Sequence, residues 1–166
     1  FENPKALKSN LKQLKRLQRG LSRKEKGSNN RYAQQMRVAV KHQRITNIRK
    51  NALHQATTYI VNNYYSVVIE DLNVKGMSKN HKLAQAISDV SWSEFRRQLT
   101  YKLMWQGKEL VVADKFYPSS KICSNCQNKK QILKLSERKY NCECCGFSID
   151  RDLNASINLK NYSPIP

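Results

Sequence analysis

Four cysteines restrict the folding options of this chain more than any other feature. Cys123-Ser124-Asn125-Cys126 is followed by Cys142-Glu143-Cys144-Cys145-Gly146. Taken as Cys123, Cys126, Cys142 and Cys145, the pattern is C-x2-C-x15-C-x2-C, at the short edge of the zinc-ribbon spacing. Each C-x2-C pair closes a tight knuckle that aims two thiolates at one point. Two knuckles then complete a tetrahedral Zn²⁺ site. Four thiolates leave no vacant position for a substrate, so such a centre holds structure and performs no chemistry. Cys144 competes for one ligand position, although a C-x-C pair suits a knuckle less well. All five cysteines lie between positions 123 and 145, which is not how a disulfide framework spreads through a secreted domain. Lys139-Tyr140 supplies the expected ribbon strand.

The remainder of the 166 residues is large enough for one ordinary domain carrying that module. Its charge is uneven. The chain holds 31 Lys and Arg against 12 Asp and Glu. Fifteen of these basic residues fall within positions 1–50, where only Glu2 and Glu25 oppose them. A block this cationic points to a polyanionic partner; the bland alternative is a helical hairpin whose charges are simply solvated. No apolar stretch reaches the length of a membrane span, and no signal-peptide pattern opens the chain.

Periodicity places an amphipathic helix over about 5–19, with Leu7, Leu11, Leu14 and Leu17 on one face. A longer helix follows over about 30–63, with Ser28 or Asn29 as its N-cap. Its apolar positions include Met36, Val40, Ile45, Ile48, Ala52, Ala56 and Ile60. The β-branched run at 65–71 then predicts a strand covered on both faces. Residues 78–91 read as a polar loop. A helix capped by Ser91 or Ser93 runs to about Lys108, carrying Trp92, Phe95, Leu99, Leu103 and Met104. Leu110 to Ala113 is a second buried strand, so strand, helix and strand form a βαβ-type unit. A last helix is expected from Asp152 to about Asn161, packing through Leu153, Ile157 and Leu159.

Two carboxylates call for comment. Glu70 ends an apolar strand, where an ionised group is costly unless paired or metal-bound. Asp152 follows the cysteine module at a helix start, which suits either a metal ligand or an N-cap. Asp71 competes with Glu70, since neighbours on a strand point to opposite faces. Phosphodiester hydrolysis can use paired divalent cations held by such hard oxygen donors. No Ser-His-Asp or Cys-His arrangement is present, His42, His54 and His81 lack ligand spacing, and five glycines make no phosphate loop.

Taken together, these segments resemble a known family. The run Val67-Val68-Ile69-Glu70-Asp71-Leu72-Asn73-Val74-Lys75-Gly76-Met77 is the first motif. Ser119-Ser120-Lys121-Ile122-Cys123-Ser124-Asn125-Cys126, the Cys142–Gly146 knuckle, and Asp150-Arg151-Asp152-Leu153-Asn154-Ala155-Ser156-Ile157-Asn158-Leu159 follow in order. They are similar to the C-terminal part of TnpB (OrfB) proteins, which are encoded by insertion sequences and related to miniature type V CRISPR effectors. The resemblance implies an α/β, RNase H-like (RuvC) nuclease fold, incomplete at its N-terminus, with long basic helices and an inserted zinc ribbon. It divides the chain into a basic helical insertion (1–64), a strand-helix-strand core (65–118), the ribbon (119–149) and a C-terminal helix with tail (150–166). It implies an RNA-guided DNA endonuclease that uses Mg²⁺ held by Glu70 and Asp152, with a structural Zn²⁺ on the four cysteines. Guide RNA and target DNA are the implied partners, with no membrane, in a cytoplasmic, nucleoid-associated setting. Asn154 matches the family's Asn two places after the last acid.

The family's first-strand Asp has no counterpart here. Phe1 is not Met, so that Asp is expected upstream, and the fragment alone is expected to cleave little. Gln127 stands where the family usually has Gly after the first knuckle. The rival readings are a non-catalytic zinc-ribbon module that only holds nucleic acid, and a conventional transposase.

Overall fold

The computed structural model describes residues 2–80, 84–134 and 136–163. They form two compact units. One comprises the described residues within 1–64 and 73–107, the other those within 65–72 and 108–166.

The first unit is helical. α1 (Ala6–Ser22) carries the leucine stripe the sequence predicts, with Leu14 buried and Leu7, Leu11 and Leu17 half-buried. Lys8, Lys12, Lys15, Arg16 and Arg19 are exposed on the rest of its surface. α1 packs on α2 (Asn29–Asn63) around Ala6, Leu14 and Ile45. Ser28 caps α2 by accepting from the Arg31 amide at 3.2 Å. At about 1.5 Å per residue, α2 is close to 52 Å long. The expected apolar stripe is broken near its start: Met36 and Val40 are 49% and 65% exposed. α1 lies along this part of α2 but meets its other face, the one carrying Gln34, Val38 and Lys41, about 200° round the helix from Met36 and Val40. Lys41, buried in the seam, donates to Asn10 Oδ1 at 2.6 Å and Gln13 Oε1 at 2.5 Å.

The described residues of the segment expected to be a loop at 78–91 are instead largely helical. α3 (Val74–Ser78) and α4 (Ala84–Val90) are each too short to show a periodic pattern. His81 lies outside the described residues. α4 contributes Asp89, which is buried. Its Oδ1 accepts from the Leu7 amide (2.9 Å) and from Arg49 Nε and Nη2 (2.9 and 2.7 Å), and its Oδ2 accepts from the Lys8 amide (3.3 Å). One carboxylate thus caps α1, whose own N-cap residue Lys5 makes no side-chain cap, and ties α2 to it. α5 (Trp92–Trp105) ends three residues earlier than expected, just before Gly107 at φ 62. Ser91 occupies its N-cap position, but its hydroxyl donates to Ser88 O instead of capping. Leu99 and Leu103 are fully buried, whereas Met104 is exposed. The α2–α5 interface includes a buried Thr57–Gln98 hydrogen bond of 3.0 Å, with Lys102 donating to Thr57 at 2.7 Å.

The second unit contains the strands. β1 (Ser66–Glu70) and β2 (Glu109–Ala113) pair in parallel, with Ser66 opposite Glu109 and Glu70 opposite Ala113. Parallel pairing requires a crossover connection, and α3 to α5 lie between the two strands in the chain. Coverage on both faces does not hold for β1, whose Val67, Val68 and Ile69 are only half-buried; among the described residues this sheet has two strands. The ribbon follows, with β3 (Lys139–Asn141) antiparallel to β4 (Ser148–Asp150) and an isolated bridge between Ile122 and Lys129. α6 (Arg151–Lys160) then packs against β1, β3 and β4. Among the described residues, no helix is long and apolar enough to cross a membrane.

Candidate functional site

The ribbon is built around its sulfurs. Cys123, Cys142 and Tyr140 form a buried cluster backed by Leu133, Phe147 and Ile149. The Tyr140 hydroxyl donates to the Lys121 carbonyl at 3.1 Å, and burial pushes its pKa up to about 12. The sulfurs of Cys123, Cys126, Cys142 and Cys145 all lie within 4.8 Å of one another. Cys123 and Cys145 are 3.8 Å apart, and Cys126 and Cys142 are 3.6 Å apart. Four ligands at a Zn–S distance of ~2.3 Å in a tetrahedron stand about 3.8 Å from each other. The donor set therefore fits Zn²⁺ in chemistry and in spacing. Cys144 is not part of this group, which removes it as a competing ligand.

Each knuckle turns on a residue with positive φ. In the first, the Gln127 amide donates to Cys123 O at 2.9 Å with φ 62. In the second, the Gly146 amide donates to Cys142 O at 3.1 Å with φ 70. The second knuckle also favours thiolates: the Phe147 amide holds Cys145 down to about 6, and the Cys145 amide lowers Cys142. The Asn128 amide acts in the same direction on Cys126, but the adjoining sulfurs and desolvation outweigh it and push that thiol up to about 12. Four thiolates at this separation need a cation between them.

The two acids singled out by sequence lie in the same unit. Glu70 ends β1, at the carboxyl end of a parallel strand, where open α/β sheets place their ligands. Its Oε1 accepts from the Ser119 hydroxyl at 2.7 Å, and among the described residues Glu70 forms no ion pair. The strand-end salt bridge that competed with a metal role is thus not what holds it. Asp152 is on the first turn of α6, but the cap of that helix is Asp150, whose Oδ1 accepts from the Asp152 and Leu153 amides at 2.9 and 3.1 Å. The helix accordingly begins at Arg151, one residue before the expected start. The Asp152 carboxylate is exposed and contacts Arg151 Nε at 3.3 Å. Among the described residues the four thiols are the only set of three or more His, Cys, Asp or Glu ligand atoms gathered at one point, so Glu70 and Asp152 belong to no complete three-acid cluster. Neither His42 nor His54 joins any such set.

Sequence reasoning named Asn154 only as a family match and foresaw a packing part for neither Asn154 nor Asn158. α6 was expected to pack through Leu153, yet Leu153 is 52% exposed and the buried positions are Asn154 and Asn158. Asn154 Nδ2 donates to Ile122 O at 2.7 Å, and its Oδ1 accepts from the Ser124 amide at 2.9 Å. Asn158 Nδ2 donates to Ser119 O at 2.8 Å and Ile122 O at 2.7 Å. The signal available was their i, i+4 spacing on a helix that directly follows the ribbon.

In the helical unit, Lys12, Arg16, Arg19, Arg23 and Arg37 line one groove between α1 and α2. Such a surface suits a phosphate backbone and carries no base readout.

Comparison with known proteins bears on both units. The profile of a family described as "Probable transposase" (OrfB_IS605) matches residues 1–81, and that of the "Cas12f1-like, TNB domain" matches residues 92–159. A Streptomyces pristinaespiralis protein named "Putative RNA-guided DNA endonuclease" is 46% identical over 157 residues, covering 95% of this chain and 39% of that protein. The Escherichia coli (strain K12) protein named "Putative RNA-guided DNA endonuclease InsQ" is 36% identical over 174 residues, covering 96% of this chain and 43% of that protein. The chain thus spans about two fifths of the length of these relatives. A cryo-EM structure of a Cas12f1-sgRNA-target DNA complex matches 93% of this chain and 41% of its own, with TM-score 0.63 and 19% identity. At that identity the likeness concerns the fold alone.

Proposed function

This chain belongs to the TnpB (OrfB) family, and on that premise we propose that it is the C-terminal part of an RNA-guided DNA endonuclease with a RuvC-like, magnesium-dependent site. The observation that carries the reading is the setting of Glu70. A carboxylate at the carboxyl end of a parallel strand makes no ion pair among the described residues of a strongly basic chain, and α6, which bears Asp152, packs against the same strand.

Glu70 and Asp152 are hard oxygen donors suited to a divalent cation of the Mg²⁺ type. In this reading they act together with a third carboxylate, the family's first-strand Asp, and these residues alone cleave little or no DNA. Bound magnesium would supply the positive charge that lowers the cost of attack by water on a phosphodiester and of departure of the leaving oxygen. The chain's own share is positional. β1 fixes Glu70, the Asp150 cap fixes the first turn of α6, and the basic groove of α1 and α2 holds nucleic-acid backbone without reading sequence. Sequence is read by pairing with a guide RNA. The zinc ribbon is structural, since its ligand set is closed.

The test is substitution in the full-length protein loaded with guide RNA. Glu70→Ala and Asp152→Ala each abolish cleavage and leave guide-dependent target binding intact. Normal cutting by either variant refutes the site, and binding without any carboxylate-dependent cleavage in the parent protein reduces the chain to a nucleic-acid-holding module.

A further inference from the structure

We propose that Ser119 is a positioning residue for Glu70, and that the stem of the zinc ribbon, clamped by Asn154 and Asn158, sets the aim of that carboxylate. This rests on the reading of Glu70 as a magnesium ligand.

Every polar group of Ser119 is engaged. Its amide donates to Tyr117 O at 2.9 Å, its carbonyl accepts from Asn158 Nδ2 at 2.8 Å, and its hydroxyl donates to Glu70 Oε1 at 2.7 Å. The residue is buried, so the hydroxyl is held in place and does not sample solvent. Oε1 of Glu70 is therefore fixed, while Oε2 makes no hydrogen bond among the described residues. A carboxylate that binds a cation through one oxygen is commonly oriented by a donor on the other.

The donor is itself anchored from α6. Asn158 grips Ser119 O and Ile122 O, and Asn154 grips Ile122 O and the Ser124 amide. Those contacts end beside Cys123, the first thiolate of the knuckle. The helix that carries Asp152 is thus joined to the ribbon stem, and the ribbon stem is joined to Glu70. The ribbon in this arrangement serves as a strut for the acid site in addition to any contact it makes with nucleic acid.

The experiment uses the full-length, guide-loaded protein with Ser119→Ala, Ser119→Thr and Glu70→Ala. Three quantities are measured: Mn²⁺ binding by titration calorimetry, the metal dependence of cleavage, and zinc content. Loss of an orienting partner typically weakens metal affinity by about 10- to 100-fold. Ser119→Ala is expected to weaken Mn²⁺ binding at least tenfold and raise the metal concentration for half-maximal cleavage equally. The rate at saturating metal stays close to that of the parent and one zinc is retained. Ser119→Thr, which keeps the hydroxyl, restores the parent midpoint. A parent-like metal midpoint in Ser119→Ala, a reduced saturating rate at unchanged midpoint, or loss of zinc would each overturn the inference. If Glu70→Ala abolishes cleavage while Ser119→Ala behaves as the parent, only the positioning role falls. If Glu70→Ala also binds metal and cuts normally, the ligand reading falls with it.

Discussion

Gln127→Gly should tighten zinc binding, because the first knuckle uses a left-handed backbone that an L side chain resists. Gln127 sits at φ 62, and its counterpart in the second knuckle, Gly146, at φ 70; both donate their amides to the carbonyl of the leading cysteine. A non-glycine residue in this conformation costs roughly 1–2 kcal/mol, and glycine loses about 0.5–1 kcal/mol more backbone entropy on ordering. The net gain is about 0.5–1 kcal/mol. Folding of a ribbon is coupled to its metal, so the gain appears as zinc affinity roughly two- to fivefold higher. The reverse substitution is the control. A Cβ built at Gly146 meets nothing within 4 Å, so Gly146→Gln carries the backbone penalty without a clash and should lose about as much. The assay is competition for zinc with a chromogenic chelator. Gln127→Gly equal to or weaker than the parent, or Gly146→Gln without loss, would refute the strain argument.

Two further outcomes follow from the helical unit. Asp89→Ala removes the cap of α1 and leaves Arg49 without its carboxylate; a lost cap costs about 1 kcal/mol and a broken part-buried ion pair about 2 more, so urea unfolding should show a loss near 3 kcal/mol, and a change below about 1 kcal/mol would show the staple to be idle. Glu94 is held down to about 2, first by its hydrogen bond with Arg97 and then by Gln98. Its folded pKa lies below its unfolded one, so its contribution is whole above about pH 4.5 and fades as the pH falls toward 2. With Arg97 63% exposed, solvent screening limits this to below about 1 kcal/mol; Glu94→Gln should flatten that acid limb in denaturant midpoints, and an unchanged pH profile would contradict the assignment.

Much of this architecture is legible in the chain because the signals are local. The spacing of Leu7, Leu11, Leu14 and Leu17 states the buried face of α1, Ser28 marks the start of α2, and the four cysteines state their own meeting point. Readings failed where a long-range partner overrode the pattern. α4 has seven residues, too few for a period, and the purpose of Asp89 is visible only when α1 and α2 stand beside it. Met36 and Val40 fit an apolar stripe, but α1 packs on the face of α2 that carries Val38 and Ile45 instead. Lys41 looks like one more solvated cation, yet two side-chain carbonyls draw it into the helix seam. The candidate site divides in the same way. Its acids were singled out from chain position and the family resemblance, whereas the hydrogen bonds of Ser119 to Glu70 and of Asn154 and Asn158 to the ribbon stem join segments about 30 to 50 residues apart.

Asn154 and Asn158 have a consequence for how the last helix can vary. Successive residues of an α-helix are rotated by about 100°, so Asp152, two places before Asn154, faces almost the opposite direction. A single inserted or deleted residue between them would swing the acid through that angle while the asparagines kept their grip. Under the role proposed for Asp152, length drift is therefore excluded in a stretch as short as Asp152-Leu153-Asn154, and a loop of the same composition would tolerate it. Rotational phase, more than side-chain chemistry, makes these few residues readable as a fixed word.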